Sequence, residues 1–123
     1  MTFKDYFSKT FETRDDHHIP SLKTHYYRVR KEEVIDAVLK TLKEMKAIIR
    51  SNDSERGEII VDSSVFSGTV TITATSFTEI AVDIQVMTYN FLPTAKGKKV
   101  IENFYSILDK KAPLKGIGLH ASF

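Results

Sequence analysis

Residues 57–87 read GEIIVDSSVFSGTVTITATSFTEIAVDIQVM, and their alternation decides the fold. Thr69, Thr71, Thr73 and Thr75 interleave with Val70, Ile72 and Ala74. After a turn, Ile80, Val82, Ile84 and Val86 interleave with Ala81, Asp83, Gln85 and Met87. Successive side chains of a strand point to opposite faces. The block therefore reads as three consecutive strands with one apolar and one polar face, as in an antiparallel sheet covered on one side. The open face is rich in threonine and carries Glu58, Asp62 and Asp83.

Upstream of the block, residues 47–50 read as a short strand and Asn52-Asp53-Ser54 as a turn. Ile35, Val38, Leu39, Leu42 and Met45 recur at helical spacing behind Lys31-Glu32-Glu33. The apolar stripe and the acidic first turn both predict an amphipathic helix. Residues 25–30, with Tyr26, Tyr27 and Val29, have strand character. Phe3, Phe7 and Phe11 recur every four residues, so residues 1–13 are predicted to hold a short helix that must dock on something to persist. Residues 14–24 read as a loop. Downstream, Val100, Ile101, Phe104, Tyr105 and Leu108 mark a second helix ending near Lys110-Lys111. Residues 112–123, with Gly116 and Gly118, read as a loosely ordered tail.

Four strands joined by short turns are largely antiparallel, and the economical burial of two helical stripes is against the one apolar face. The expectation is a single α+β domain over residues 1–123. It is a two-layer sandwich in the order β-α-β-β-β-β-α, with a mainly antiparallel five-stranded sheet, two helices on one face and an N-terminal arm over residues 1–24.

At 123 residues, 41% hydrophobic and 28% charged, the composition is that of an ordinary globular domain. With no cysteine, disulfides, thiol nucleophiles and cysteine metal sites are excluded. That usage suits a reducing compartment. No apolar run approaches the roughly 18 residues of a membrane helix, and residues 1–14 lack the apolar core of a signal peptide. The expected setting is cytoplasmic, with no membrane span. The net charge of +2 is unevenly placed: residues 1–94 hold 12 Lys/Arg against 14 Asp/Glu, and residues 95–123 hold six Lys against Glu102 and Asp109.

Candidate chemistry is sparse. Asp15-Asp16-His17-His18, with His25 if the loop folds back, offers oxygen and nitrogen metal ligands, but adjacent loop residues seldom converge. Imidazoles also suit acid–base work, and with Asp83 these histidines are the best polar candidates for an enzyme. Lys96, Lys98 and Lys99 precede the second helix and are candidates for anion binding, although the spacing of a phosphate-binding P-loop is absent. Ser63, Ser64 and Ser67 lie near a strand end without a nucleophile-elbow motif. Asp62 and Asp83 are placed to face one another across the sheet. No residue pattern calls for a cofactor.

The element order resembles the TATA-binding-protein-like and helix-grip layouts. A DNA-binding saddle of the first kind needs a basic sheet face, whereas this face is neutral to acidic, so DNA is not expected on the sheet. A helix-grip cavity needs a long closing helix, and the second helix here is only moderately long. Across nearly the whole chain the sequence resembles a family of small cytosolic proteins of Bacillus-type bacteria. The resemblance rests on Glu12-Thr13-Arg14, on His18, Pro20, Leu22-Lys23-Thr24 and Tyr26-Tyr27, on Glu55-Arg56-Gly57-Glu58-Ile59, on Thr78-Glu79 and Ala81-Val82-Asp83, and on Lys99-Val100-Ile101, Phe104-Tyr105 and Leu108-Asp109-Lys110-Lys111. In layout it is also distantly similar to a broader bacterial domain of unknown function. Neither has an established activity, so the resemblance implies no site residue.

The expected function is a non-enzymatic binding or protein-interaction module, its partner another protein or a second copy in a homodimer. The Tyr26–Tyr27 strand, the threonine face and the edge strands are the expected contact surfaces. The alternative is a carrier or sensor of a small apolar ligand held between sheet and helices. An enzyme is the third reading.

Overall fold

The computed structural model of the chain describes residues 7–14, 16–17, 19–77, 79–89, 96–112 and 114–117, with backbone alone at 7–9, 89, 114 and 115. Seven strands and two α-helices follow in the order β1 (Phe7–Glu12), β2 (His25–Tyr27), α1 (Lys31–Glu44), β3 (Ile48–Asp53), β4 (Glu58–Asp62), β5 (Phe66–Ser76), β6 (Glu79–Tyr89), α2 (Lys96–Lys111) and β7 (Leu114–Ile117), with a 3-10 turn at Pro20–Leu22. The strands form one open sheet in the order β3-β4-β5-β6-β2-β7, and β1 also pairs with β6. All its pairings are antiparallel.

The alternating block behaves as its pattern dictates. Along β5, Phe66, Val70 and Ile72 are buried while Thr71, Thr73 and Thr75 are exposed. Val70 lies opposite Ile84 and Ile72 opposite Val82, so the apolar residues of β5 and β6 share one face. Ile59 and Val61 of β4 join them. One hydrophobic cluster unites these residues with Val34, Val38 and Leu42 of α1 and Val100, Ile101, Phe104 and Leu108 of α2. A buried side chain of this size contributes about 1.5–3 kcal/mol, so this shared layer is the main source of stability.

α1 ends with a Schellman-type cap. Ala47 N–H donates to Leu42 O (3.0 Å) and Lys46 N–H to Lys43 O (3.0 Å). The residue at the left-handed position, where glycine is usual, is Lys46 (φ 61°).

Two expectations need correction, and both raise the strand number above five. Phe7–Glu12 is a strand and not part of a helix: it pairs with the C-terminal half of β6, from Phe7 opposite Tyr89 to Glu12 opposite Gln85. An unfilled ladder on a long central strand outweighs a local four-residue period, because strand formation depends on its neighbours more than on propensity. Phe3 lies outside the described residues. The predicted loose tail contains β7, which pairs with β2, Tyr26 opposite Gly116. Smaller differences are the extension of β3 to Asp53, whose carboxylate accepts the Arg56 N–H (3.1 Å) in the turn that follows, and the early end of β2 at Tyr27.

β1 and β2 lie end to end along one edge of β6. Glu12 faces Gln85, the Thr13 N–H donates to Ile84 O (3.0 Å), and His25 faces Val82. The chain leaves this edge after Thr13 and returns to it at Thr24. The neck of the loop is closed by Arg14 N–H to Leu22 O (3.1 Å) and Thr24 N–H to Arg14 O (3.2 Å).

Two glycines have steric roles. Gly97 of α2 has no room for a Cβ because the ring of Phe11 lies against it, so the glycine within the lysine run serves the docking of β1. Gly57 has φ +69°, and a Cβ there would strike the Ile72 carbonyl; the Ile72 N–H in turn donates to Gly57 O (2.7 Å). Gly57→Ala is expected to lower the unfolding free energy by about 1–3 kcal/mol, read as a drop in urea midpoint with the slope unchanged.

Candidate functional site

A polar network fills the break between β1 and β2. Asp83, at the middle of β6, accepts the hydroxyls of Thr13 (2.7 Å) and Thr24 (2.6 Å) on the same carboxylate oxygen. Thr13 Oγ1 accepts the Ile84 N–H (2.9 Å). Tyr105 reaches in from α2 and donates to the Val82 carbonyl (2.6 Å), with Thr13 Oγ1 3.2 Å away. The His25 ring stacks on Tyr105 with centroids 3.6 Å apart and planes 3° from parallel. Its Nδ1 lies 3.0 Å from Asp109 Oδ1, which also accepts the Tyr27 hydroxyl (2.6 Å). With Asp109 as a carboxylate, acceptor only, that histidine nitrogen is the donor.

The aromatic and hydroxyl members of the network are buried, His25 5% exposed, Thr24 2% and Tyr27 0%, while the Asp109 side chain keeps 27% of its surface exposed. A general base must come within hydrogen-bond reach of its substrate, and this histidine is sealed under its own strand. His25 and Asp109 thus brace β2 against α2. Burial, with the Asp109 carboxylate alongside, pushes the Tyr27 phenol far above the usual tyrosine range. Burial does the same to Tyr105, with nearby Asp83 and Asp109 adding to it and the Thr13 hydroxyl opposing it.

Among the described residues no other histidine joins His25. His17 Nδ1 accepts the Ile19 N–H (3.0 Å) inside its own loop, and His18 lies outside the described residues. Among the described residues no group of three histidines, aspartates or glutamates could hold a metal ion. Asp62 and Asp83 do not face one another. Asp62 lies opposite Ser67, Asp83 lies opposite Thr71, and the residue in the row with Asp83 is Glu58. Asp62 instead meets Arg50 (3.5 Å).

The lysine run divides. Lys98 turns to Glu102 (3.9 Å). Lys96 and Lys99 line a pocket of about 420 Å³ together with Lys46, Asn103 and the serines Ser63 and Ser64. Sequence reasoning found Lys96, Lys99 and the serines separately. It missed Lys46, whose signal is its place just after the α1 stripe, where a glycine cap would normally sit.

The expected contact surfaces also divide. Tyr27 belongs to the core, and Tyr26 is only 9% exposed. The threonine face is open, with Thr71, Thr73 and Thr75 exposed. The β3 edge is open as well: every residue from Ile48 to Asn52 is exposed. Ile48 is 55% exposed, and Ile49 and Ile60 beside it 37% and 38%.

The tyrosines make the fold sensitive to alkali. An unfolded chain loses each phenol proton near the ordinary value of about 10, whereas folded Tyr27 and Tyr105 keep theirs. Their contribution is complete below that pH and is lost above it, by about 1.4 kcal/mol per tyrosine per pH unit. Phenolate absorbance of Tyr27 and Tyr105 is expected to appear only together with cooperative unfolding, and Tyr27→Phe to reduce the steepness of the alkaline stability loss.

Compared with protein-family models and with curated proteins, this chain matches none.

Proposed function

We propose that this chain is a non-enzymatic binding module whose contact surface is the free edge of β3, and that its partner is a second copy of itself. The carrying observation is that neither charge on β3 guards that edge. Native edge strands are normally protected by charges, prolines or covering segments. Here the Arg50 guanidinium turns onto Asp62 of the neighbouring strand, and Asp53 accepts the Arg56 N–H in the following turn. What remains outermost is Ile48, Ile49, Ser51 and Asn52, uncharged and exposed. An exposed, apolar strand edge is a template for antiparallel pairing with another strand.

Two features support binding over the other readings. The layer between sheet and helices is filled by fully buried Tyr27, Phe104, Leu42 and Ile72, which favours an external contact over a carried apolar ligand. In the His25–Asp109 pair of β2 and α2 the imidazole is buried and held by its own carboxylate partner, which favours binding over catalysis. Glu58, Asp62 and Asp83 on the open face disfavour a nucleic-acid backbone there. The two-layer arrangement, a cytoplasmic setting and kinship with small proteins of Bacillus-type bacteria belong to the same proposal; the lack of cysteine accords with that setting.

Sedimentation equilibrium tests the proposal. The wild type is expected to dimerise reversibly, and Ile48→Lys to weaken association at least about tenfold while the two melt alike at dilutions where both are monomeric. A wild type that is monomeric at millimolar concentration, or an Ile48→Lys chain that associates normally, contradicts it.

A further inference from the structure

We infer that the pocket between the end of α1, the β4–β5 connection and the start of α2 binds a phosphate monoester carried on a compact apolar body. This is independent of self-association, since the pocket does not include the β3 edge.

The pocket has the size and the two-part lining of a small-molecule site. Its volume is about 420 Å³, within the roughly 300–1,000 Å³ of such sites. Phe66 (3% exposed) and Val100 (7%) form an apolar base. Lys46, Lys96, Lys99 and Asn103 supply donors around it, and no aspartate or glutamate is among the described lining residues. The three lysines come from two separate segments, so the positive field belongs to the pocket and not to one helix end.

The pocket's lysines also lack a carboxylate partner among the described residues. Lys98 meets Glu102, Lys40 meets Asp36 (3.0 Å) and Lys111 meets Glu44 (3.2 Å), while Lys23, Lys31, Lys43 and Lys110, outside the pocket, make no ion pair among the described residues. Lys46, Lys96 and Lys99 make no ion pair there. Each ammonium carries three donors and no acceptor, and three of them around one concavity match a dianion better than a single carboxylate.

Lys46 adds a further point. It occupies the left-handed position of the α1 cap with φ 61°, where glycine fits without penalty and a residue with a Cβ costs stability. A locally unfavourable choice of residue is expected where function requires the side chain. Here that side chain lines the pocket.

The test is a titration of the isotope-labelled full chain with phenyl phosphate, followed by amide chemical shifts. Saturable shifts are expected at Val65, Phe66, Lys99, Val100 and Asn103. Lys46→Gly separates structure from binding. It is expected to raise the urea midpoint by relieving the left-handed lysine, yet to weaken phenyl phosphate at least about tenfold through loss of a charge-assisted contact. Lys98→Gln is expected to bind as the wild type does. Absence of saturable shifts at millimolar phenyl phosphate, wild-type affinity in Lys46→Gly, or an equal loss in Lys98→Gln would overturn the inference. Inorganic phosphate binding as tightly as phenyl phosphate would overturn the apolar half of it.

Discussion

Asp83 accepts two threonine hydroxyls at the place where the edge of the sheet is broken, and that pair of hydrogen bonds holds β1 and β2 in line on β6. β6 is paired along one edge by β5, from Phe66 opposite Thr88 to Ser76 opposite Glu79. Along the other edge it is paired first by β2 and then by β1. Between the two, the chain leaves the sheet after Thr13 and rejoins it at Thr24. Each buried polar group left without a partner there would cost about 1–3 kcal/mol. The break is tolerable because Asp83 accepts the Thr13 and Thr24 hydroxyls and Tyr105 donates to the Val82 carbonyl. Tyr105, His25 and Asp109 extend the same network into α2, so sheet and helix are joined by directional bonds as well as by apolar packing.

That arrangement decides which surfaces are left over. The central strands are saturated on both edges and covered on one face by α1 and α2. β3, farthest from β6 on its side of the sheet, is exposed throughout, and its two charges are engaged within the chain. The threonine face is open and carries Glu58 and Asp83. Cationic side chains collect instead at the opposite layer, where the end of α1 meets the start of α2. The molecule therefore presents an uncharged strand edge and a separate basic pocket.

Legibility in the sequence followed the physics of each element. The residues 57–87 alternate because one face is buried and the other wet, so their strands could be read directly, as could the stripes of α1 and α2. β1 could not, because Phe7 and Phe11 satisfy a helical period as well as a strand one, and only the vacant half of the β6 ladder decides between them. β7 could not, because glycine at 116 signals looseness unless a neighbouring strand supplies the pairing. The site was partly visible: Lys96, Lys99, Ser63 and Ser64 stood out by type, but their meeting with Lys46 is a tertiary event. His17 and His25, close in sequence, are separated by the looped-out neck. Tyr27 looked like a surface aromatic and is instead a fully buried partner of Asp109.

The central claim is that β6 is the rigid spine and β3 the free edge through which copies join. Amide hydrogen exchange at low and high protein concentration tests it most directly. The account predicts that Ile80, Val82, Ile84 and Val86 exchange slowest at both concentrations, through global unfolding alone. It predicts that amides of Ile48–Asp53 are fast in dilute solution and slow down as concentration rises. Protection of β3 that does not change with concentration, or exchange in β6 faster than in β3, would contradict it.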